Sequence, residues 1–341
     1  MTDVGKTLEI RTSPHILSGH SVDVIMFNVV LALLPVSAFA VYAFGLSALL
    51  VLGVAVASCV VTEWGIGRLG GRASTLRDWS VAITGLLYGL TLPPGLPLWM
   101  VAVGGVVAVA LGKTLFGGLG FNVFNPALVG RAFLQAAFPV ALTTWSPGFG
   151  AGRFSGLGSS TLTLPFSRPL YDAVTSATPL ALWKFDRQAS EVGELALGFV
   201  GGSTGETCAL LILMGGVYLV GRNMMNWRIP AGIFAAVVVL SGALHALDPQ
   251  TYASPGFMLF SGGLMLGAVF MASDMVGSPM TSAGCLAYGA LIGVLVVVIR
   301  TWGGMPEGVM YAILLGNAVT PHIDRWIQPV PYGASPRKEP R

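Results

Sequence analysis

The chain has 341 residues, of which 54% are hydrophobic and only 10% are charged, and its formal net charge is +3. Because a typical soluble domain has about 25% charged residues, this composition excludes an ordinary soluble protein. The few basic residues are spread along the chain and form no basic patch, which excludes a nucleic-acid-binding protein. The 46 glycines are typical of closely packed membrane helices.

Eight apolar runs are long enough for a membrane helix, which needs roughly 17–25 residues. These runs cover residues 23–44, 46–66, 96–116, 126–142, 230–247, 256–272, 284–300 and 308–323. Two more segments are broken, since residues 79–92 end at Pro93-Pro94-Gly95 and residues 192–220 contain the sequence GGSTGET at 201–207. Broken segments of this kind are typical of discontinuous helices at a binding site. We therefore predict an all-α polytopic membrane protein with about ten transmembrane helices, some of them discontinuous.

An even number of spans puts both termini on the same side of the membrane. Most of the 18 Lys and Arg residues, Lys113 and Arg131 among them, fall on that side, and the positive-inside rule makes it cytoplasmic. The predicted parts are a cytoplasmic tail (1–22), a first membrane half (23–142), a periplasmic loop (143–191), a second membrane half (192–325) and a cytoplasmic tail (326–341). With five helices in each half, an inverted repeat is expected. Its only echo in sequence is Asn122 to Pro126 against Asn317 to Pro321.

Ionisable groups inside the membrane are functional candidates, because a charge in hydrocarbon costs at least about 2.5–3.5 kcal/mol. The candidates are Glu63, Lys113, Arg131, Glu206, His245, Asp274 and Arg300. Most lie near predicted span ends, where a snorkelling or interface charge is the simpler interpretation. Glu206 differs because it follows a Gly-rich break, where a half-helix end can bind a cation or face a cofactor. The alternative is a first-turn residue of a helix capped by Ser203 or Thr204.

The cysteines and histidines indicate no metal site. Cys59, Cys208 and Cys285 have no CxxC partner, and the four histidines have no metal-ligand spacing. Each cysteine is interpreted as a small packing residue. The stretches GGLGFN (117–122) and GFGAG (148–152) match no phosphate-binding motif, and we predict turns there.

The external loop contains the sequence SRPLYDAVTSATPLALWKF at 167–185. The hydroxyl residues Thr175, Ser176 and Thr178 surround the small Ala177, and Pro179 favours an extended backbone at Thr178. A hydroxyl in such a place is accessible to another enzyme. From these residues alone, however, a Ser/Thr-rich turn that caps the next segment is the favoured interpretation.

The run from Asp172 to Leu180 resembles the flavinylation motif of a family of membrane proteins. This family includes the D subunit of Rnf complexes and the B subunit of the sodium-pumping NADH:quinone reductase. Further blocks that resemble the family are Thr84 to Pro94, Gly120 to Ala127, Gly201 to Thr207, Asn226 to Pro230 and Ser261 to Gly267. The short tail before the first span favours the Rnf branch.

The resemblance implies that Thr178 holds FMN through a phosphoester. It makes Asp172, Thr175, Ser176 and Ala177 the motif partners, although Ser176 stands where the family more often has Gly. Six loop residues are expected near the flavin: Arg168, Lys184 and Arg187 as polar donors, and Tyr171, Trp183 and Phe185 as ring contacts. Interface roles for these six are equally consistent with the sequence.

The resemblance also implies a subunit of a redox-driven translocase in the bacterial inner membrane. Such a complex relays electrons between NADH and ferredoxin, in a direction that the residues do not set, and couples them to Na⁺ or H⁺ movement. The implied partners are the other Rnf subunits A, B, C, E and G and a flavin transferase. A second, non-covalent flavin such as riboflavin is known in the quinone-reductase relative. Asn122, Asn125 and Glu206, at the breaks 117–126 and 201–207, are the candidate region for that flavin or for an ion. Without the motif, a transporter or channel with no redox cofactor would be preferred.

Overall fold

The computed structural model describes residues 21–71, 78–150, 152–158, 160–165, 167, 177–206 and 208–329. Within these ranges all regular secondary structure is helical, which confirms the predicted helical membrane protein. The helices are α1 (Val22–Phe44), α2 (Leu46–Leu69), α3 (Ser80–Leu90), α4 (Leu98–Val109), α5 (Pro126–Ala137), α6 (Pro139–Thr143), α7 (Pro179–Ala181), α8 (Val192–Leu197), α9 (Ala209–Gly221), α10 (Arg228–Leu247), α11 (Pro255–Phe260), α12 (Leu264–Leu266), α13 (Ser282–Trp302) and α14 (Val309–Trp326). Three of them, α4, α7 and α12, continue directly into one π-helical turn at Ala110–Thr114, Leu182–Asp186 and Gly267–Met271.

Four helices in the described ranges, α1, α2, α10 and α13, are long and apolar enough to cross a membrane. Helices α3 and α9, and α4 with its π turn, are apolar but shorter. Helix α3 ends before Pro93-Pro94, which removes backbone donors and cannot continue a helix. The predicted discontinuous segments therefore correspond to short helices with non-helical ends.

The Gly-rich break at 201–206 lies against the end of α3. The backbone N–H groups of Thr204 and Gly205 donate to the carbonyls of Leu92 and Leu90 at 3.1 and 2.7 Å, and the Thr204 hydroxyl donates to Gly89 O at 2.8 Å. These carbonyls lie at and just beyond the end of α3, where the helix leaves its last carbonyls without intrahelical partners. The broken segment at 201–206 thus provides hydrogen-bond donors for the free carbonyls at the end of α3. Backbone polar groups at membrane depth need such partners because no water is available there.

The prediction of one continuous span at 256–272 is wrong. Helix α11 ends at Phe260 and α12 begins at Leu264, with Ser261-Gly262-Gly263 between them. Arg300 donates to Met258 O at 2.7 Å and to Ser261 O at 2.9 Å, and Glu307 accepts from Gly263 N at 2.7 Å. A cation at the carbonyl end and a carboxylate at the N–H end complement the dipoles of the two short helices.

The packing of the long helices follows one pattern twice. Helix α2 packs against α3 and α4, and α10 packs in the same way against α11 and α13. Helix α4 contacts α5, and α13 contacts α14. The two groups of helices meet where α1 contacts α9 and where α5 contacts α14.

Candidate functional site

Thr178 lies immediately before α7 with an extended backbone (φ −68°, ψ 152°), which confirms the conformation predicted from Pro179. Its hydroxyl oxygen accepts a hydrogen bond from Ala181 N at 3.3 Å, so the predicted helix cap is also present. The Thr178 side chain is half-buried and Ala177 is exposed. The other predicted motif residues, Asp172, Thr175 and Ser176, lie outside the described residues.

Thr178 lines a cavity of about 560 Å³, here called the Thr178 cavity. Its volume falls within the roughly 300–1,000 Å³ that is usual for small-molecule sites. The lining comes from α5, from α6 and the segment after it, from the Thr178 segment with the turn that follows, and from α14 with the turn before it. Besides Ala177 and Thr178, it includes the polar side chains Arg131, Gln135 and Glu307 and the rings Trp145, Phe185 and Tyr311. A cation, a hydroxyl and three rings around one space suit a phosphorylated aromatic ligand.

The residues expected around the flavin are divided between two places. Phe185 lines the Thr178 cavity, whereas Trp183 packs against Phe257 with ring centroids 5.9 Å apart. Lys184 donates to the carbonyls of Arg300, Gly303 and Met305, and its partial burial lowers its pKa. Arg187 donates to Thr251 O at 2.7 Å and lies over the Trp183 ring. Arg168 and Tyr171 are not among the described residues.

Four buried or partly buried charges, Arg131, Glu206, Arg300 and Glu307, form one group beside this cavity, here called the four-charge cluster. Arg131 reaches Glu206 with Nη1 to Oε1 at 3.6 Å and Glu307 with Nη2 to Oε2 at 3.7 Å. Arg300 Nη2 lies 3.6 Å from Glu307 Oε1. The snorkelling interpretation of Arg131 and Arg300 is therefore wrong. Their burial is compensated by carboxylates and, for Arg300, by backbone carbonyls.

The sequence signals for this cluster were incomplete. Arg131 and Arg300 were recognisable as ionisable residues within apolar runs, but nothing in the sequence paired them with a partner. Glu307 was missed because it lies in a short polar connection between two spans, where an acidic residue is unremarkable. Its structural role comes from contacts with distant residues, namely the ion pairs with Arg131 and Arg300 and the hydrogen bond from Gly263 N, 44 positions away.

Glu206 lies before helix α9 and not within it. Helix α9 begins at Ala209 with Cys208 as its N-terminal cap, so the alternative of a first-turn glutamate is wrong. The Glu206 side chain is only 6% exposed. A small cavity of about 20 Å³ separates Thr178 from Glu206 and Glu307.

A second buried charge pair joins α2 to the end of α4. Lys113 Nζ donates to both carboxylate oxygens of Glu63, at 2.9 and 2.8 Å, and to Ser80 Oγ at 2.6 Å. All three residues are buried, so the snorkelling interpretation is also wrong for Glu63 and Lys113.

Asn122 and Asn125 line a different cavity from Thr178, of about 90 Å³, together with Lys113 and Asp274. Asn125 caps α5 by accepting from Ala127 N at 3.0 Å, and its amide donates to Met271 O at 3.2 Å. Glu206 does not belong to the described lining of this cavity. The predicted candidate region for an ion or second flavin is therefore two separate places.

Interrupted helices, two cavities beside them and two groups of buried charges define a helical membrane protein of the kind in which helix breaks mark candidate binding sites. Residues 9–333 match the NQR2, RnfD, RnfE family, and the chain belongs to this family. The resemblance stated from the sequence motifs is confirmed.

The similar relatives are full-length matches. The D subunit of the proton-translocating ferredoxin:NAD(+) oxidoreductase complex of Clostridium ljungdahlii is 41% identical over 95% of this chain and 96% of its own length. The D subunit of the Na(+)-translocating ferredoxin:NAD(+) oxidoreductase complex of Acetobacterium woodii is 40% identical over 97% of each chain. The D subunit of the ion-translocating oxidoreductase complex of Stutzerimonas stutzeri is 40% identical over 94% of each chain.

Proposed function

We propose that this chain is the flavin-carrying membrane subunit of an ion-translocating ferredoxin:NAD(+) oxidoreductase complex, with FMN joined to Thr178 through a phosphoester. The observation that carries this proposal is the place of Thr178. Its hydroxyl lies in an extended segment, at a cavity large enough for a small molecule and lined by a cation and three rings. The names of the full-length relatives support the complex to which the subunit belongs.

The residues of the Thr178 cavity fit a flavin phosphate. The Thr178 oxygen would become the ester oxygen, and Arg131 would supply positive charge to the phosphate. Trp145, Phe185 and Tyr311 offer faces and edges to a planar ring system. When bound, FMN supplies the electron-transfer chemistry, while these residues hold it and restrict its access to water.

The proposal includes ten spans in two inverted halves, with both termini in the cytoplasm and Thr178 on the periplasmic side of the inner membrane. The two halves are α1 to α5 and α9 to α14, with α11 and α12 forming one broken span. The repeated packing pattern supports them, since helices in equivalent positions, α1 with α9 and α5 with α14, contact each other. The distribution of the other Lys and Arg residues supports the orientation, with Lys113 and Arg131 left out because the structure buries both.

We also propose a second, non-covalent flavin site, for a molecule such as riboflavin, at the cavity lined by Asn122 and Asn125. This cavity, of about 90 Å³, is smaller than the roughly 300–1,000 Å³ that is usual for a small-molecule site, so its walls would have to move apart to admit a flavin. The two Asn amides and the Asp274 carboxylate offer hydrogen bonds to a polar ring edge, whereas the Lys113 ammonium already donates to Glu63 and Ser80. The proposed partners are the Rnf subunits A, B, C, E and G and a flavin transferase. The rival function, a transporter or channel without redox cofactor, predicts a colourless protein.

The test of the Thr178 assignment compares two threonines of the same cavity. Thr178→Ala removes the proposed acceptor, whereas Thr143→Ala removes an exposed hydroxyl from the cavity wall. After coexpression with the flavin transferase, in-gel flavin fluorescence should be lost in Thr178→Ala and kept in Thr143→Ala. Loss of the α7 cap costs about 0.5–2 kcal/mol, so a thermal unfolding curve accompanies the measurement. Equal fluorescence in both variants would reject Thr178.

A further inference from the structure

Glu206 is the member of the four-charge cluster whose carboxylate caps no backbone group among the residues that the structure describes. Arg300 and Glu307 hold the two ends of the α11–α12 break. Glu206 Oε1, by contrast, is buried and accepts no hydrogen bond from any residue that the structure describes. Its ion-pair contact there, with Arg131 Nη1 at 3.6 Å, is longer than a hydrogen bond. An unsatisfied buried carboxylate oxygen is costly, so it is the atom at which a further ligand would be stabilised.

The space beside Glu206 has the size of a single small particle. The cavity of about 20 Å³ is lined by Thr178, Glu206 and Glu307 together with backbone of the two Gly-rich breaks. Such a volume holds about one water or one ion. Ser203, in the turn before Glu206, and Ser261, at the α11–α12 break, are fully buried in the segments that form the cavity wall, although neither of them lines the cavity itself. Carboxylate, hydroxyl and carbonyl oxygens are the ligands that hard cations prefer.

Charge balance determines when this site would fill. With both carboxylates ionised, two arginines and two glutamates sum to zero, so an added cation is less favoured in the chain alone than in the flavin-loaded protein. Arg131 belongs to the four-charge cluster and also lines the Thr178 cavity. A phosphodiester on Thr178 adds one negative charge to that cavity and competes with Glu206 for Arg131.

We propose that Glu206 takes up one monovalent cation, a proton or a sodium ion, when the flavin phosphate on Thr178 engages Arg131. This inference rests on the proposed function, because the flavin supplies the negative charge. The groups that face Glu206 are Arg131 on α5, Arg300 and Glu307 around the α13–α14 turn, and Ser203 on its own segment. Glu206 thereby loses its contact with Arg131 and gains a mobile cation in its place. Binding of the flavin phosphate and binding of the cation at Glu206 are then thermodynamically linked.

The test is infrared spectroscopy of the purified flavin-loaded protein in sodium-free buffer at neutral pH. We expect a protonated-carboxyl band that is absent in Glu206→Gln and retained in Glu194→Gln, a glutamate on the exposed part of α8. The band should be weaker in Thr178→Ala, where Arg131 stays beside Glu206 and favours its ionised form. Adding NaCl, with choline chloride as control, removes the band if the site accepts sodium and leaves it unchanged if the site takes only protons.

Flavin fluorescence of each sample separates the two proposals. A wild-type protein without flavin contradicts the proposed function, and this inference with it. A flavin-loaded wild type that lacks any Glu206-dependent band contradicts this inference alone. An equal band in the wild type and Thr178→Ala contradicts the exchange of Arg131. That last comparison does not depend on the folding of Glu206→Gln.

Discussion

The buried arginine Arg131 connects two glutamates from distant parts of the chain. It faces Glu206, which lies before α9, and Glu307, which lies before α14. Without its guanidinium, two carboxylates would share a water-poor site with Arg300 as the sole facing cation in the described cluster. Removing one member of a buried ion-pair group leaves uncompensated charge, which costs far more than the intact group contributes.

Arg131→Met is therefore expected to destabilise the protein by about 3–5 kcal/mol. Arg222→Met, which changes an exposed arginine at the end of α9, should alter stability by less than about 0.5 kcal/mol. The double variant Arg131→Met with Glu206→Gln should recover part of the loss, because one excess negative charge is removed. Thermal unfolding in detergent measures all three. Equal midpoints for the two single variants would show that Arg131 carries no compensating charge.

The conformation of Thr178 was predictable because its cause is local. Pro179 restricts the residue before it, and the structure has Thr178 extended. The partners of Arg131 and Arg300 were not predictable, because an ion pair depends on which distant segments meet. Because a charge within an apolar run is costly to bury, the sequence indicated that Arg131 and Arg300 need a compensating partner. It did not identify Glu307 as that partner.

Helices α10 and α13 pack closely because small residues lie along their contact. A Cβ atom on Gly289 would lie 2.5 Å from Ile229 O, and one on Gly293 would lie 2.6 Å from Ile233 O. These glycines allow the backbones to approach each other, as is usual where lipid provides no hydrophobic driving force between helices. This contact orients α13, and with it Arg300 at the α11–α12 break.

Gly289→Ala should destabilise the protein by about 1–3 kcal/mol, the usual cost of overpacking. The matched control is Gly53→Ala in α2, where an added Cβ meets nothing within 4 Å. This control should be neutral or stabilising by up to about 1 kcal/mol, because alanine favours the helix over glycine. The unfolding midpoint of Gly289→Ala should therefore fall, whereas that of Gly53→Ala should stay unchanged or rise. A neutral Gly289→Ala would mean that α10 and α13 pack less closely than described.

Helix breaks were predictable where an apolar run gives way to Pro or to a run of Gly, Ser and Thr. Pro93-Pro94 ends α3, and the run of Gly, Ser and Thr at 201–206 interrupts the approach to α9. The break at 261–263 was missed because the apolar run 256–272 continues across it. Its two glycines could equally belong to a packed helix, and the Arg300 and Glu307 groups that stabilise the break come from other segments.

The proposed orientation of the whole molecule can be tested by cysteine labelling. Cys59, Cys208 and Cys285 are all buried, so introduced cysteines can be labelled against a low background. Leu164, in the segment before Thr178, is 72% exposed, and Arg222 is exposed between α9 and α10. A membrane-impermeant maleimide should label Leu164→Cys in spheroplasts, and Arg222→Cys only after permeabilisation. Labelling of Arg222→Cys alone in sealed spheroplasts would reverse the proposed orientation.

The intact mass of the purified subunit, produced with its complex and flavin transferase, tests the central claim most directly. The wild type and Thr143→Ala should each exceed their sequence mass by one FMN less one water, as a phosphoester requires. Thr178→Ala should have its sequence mass, because it lacks the acceptor oxygen. A wild-type subunit at its unmodified mass, or a Thr178→Ala subunit that still carries the added FMN, would contradict the account.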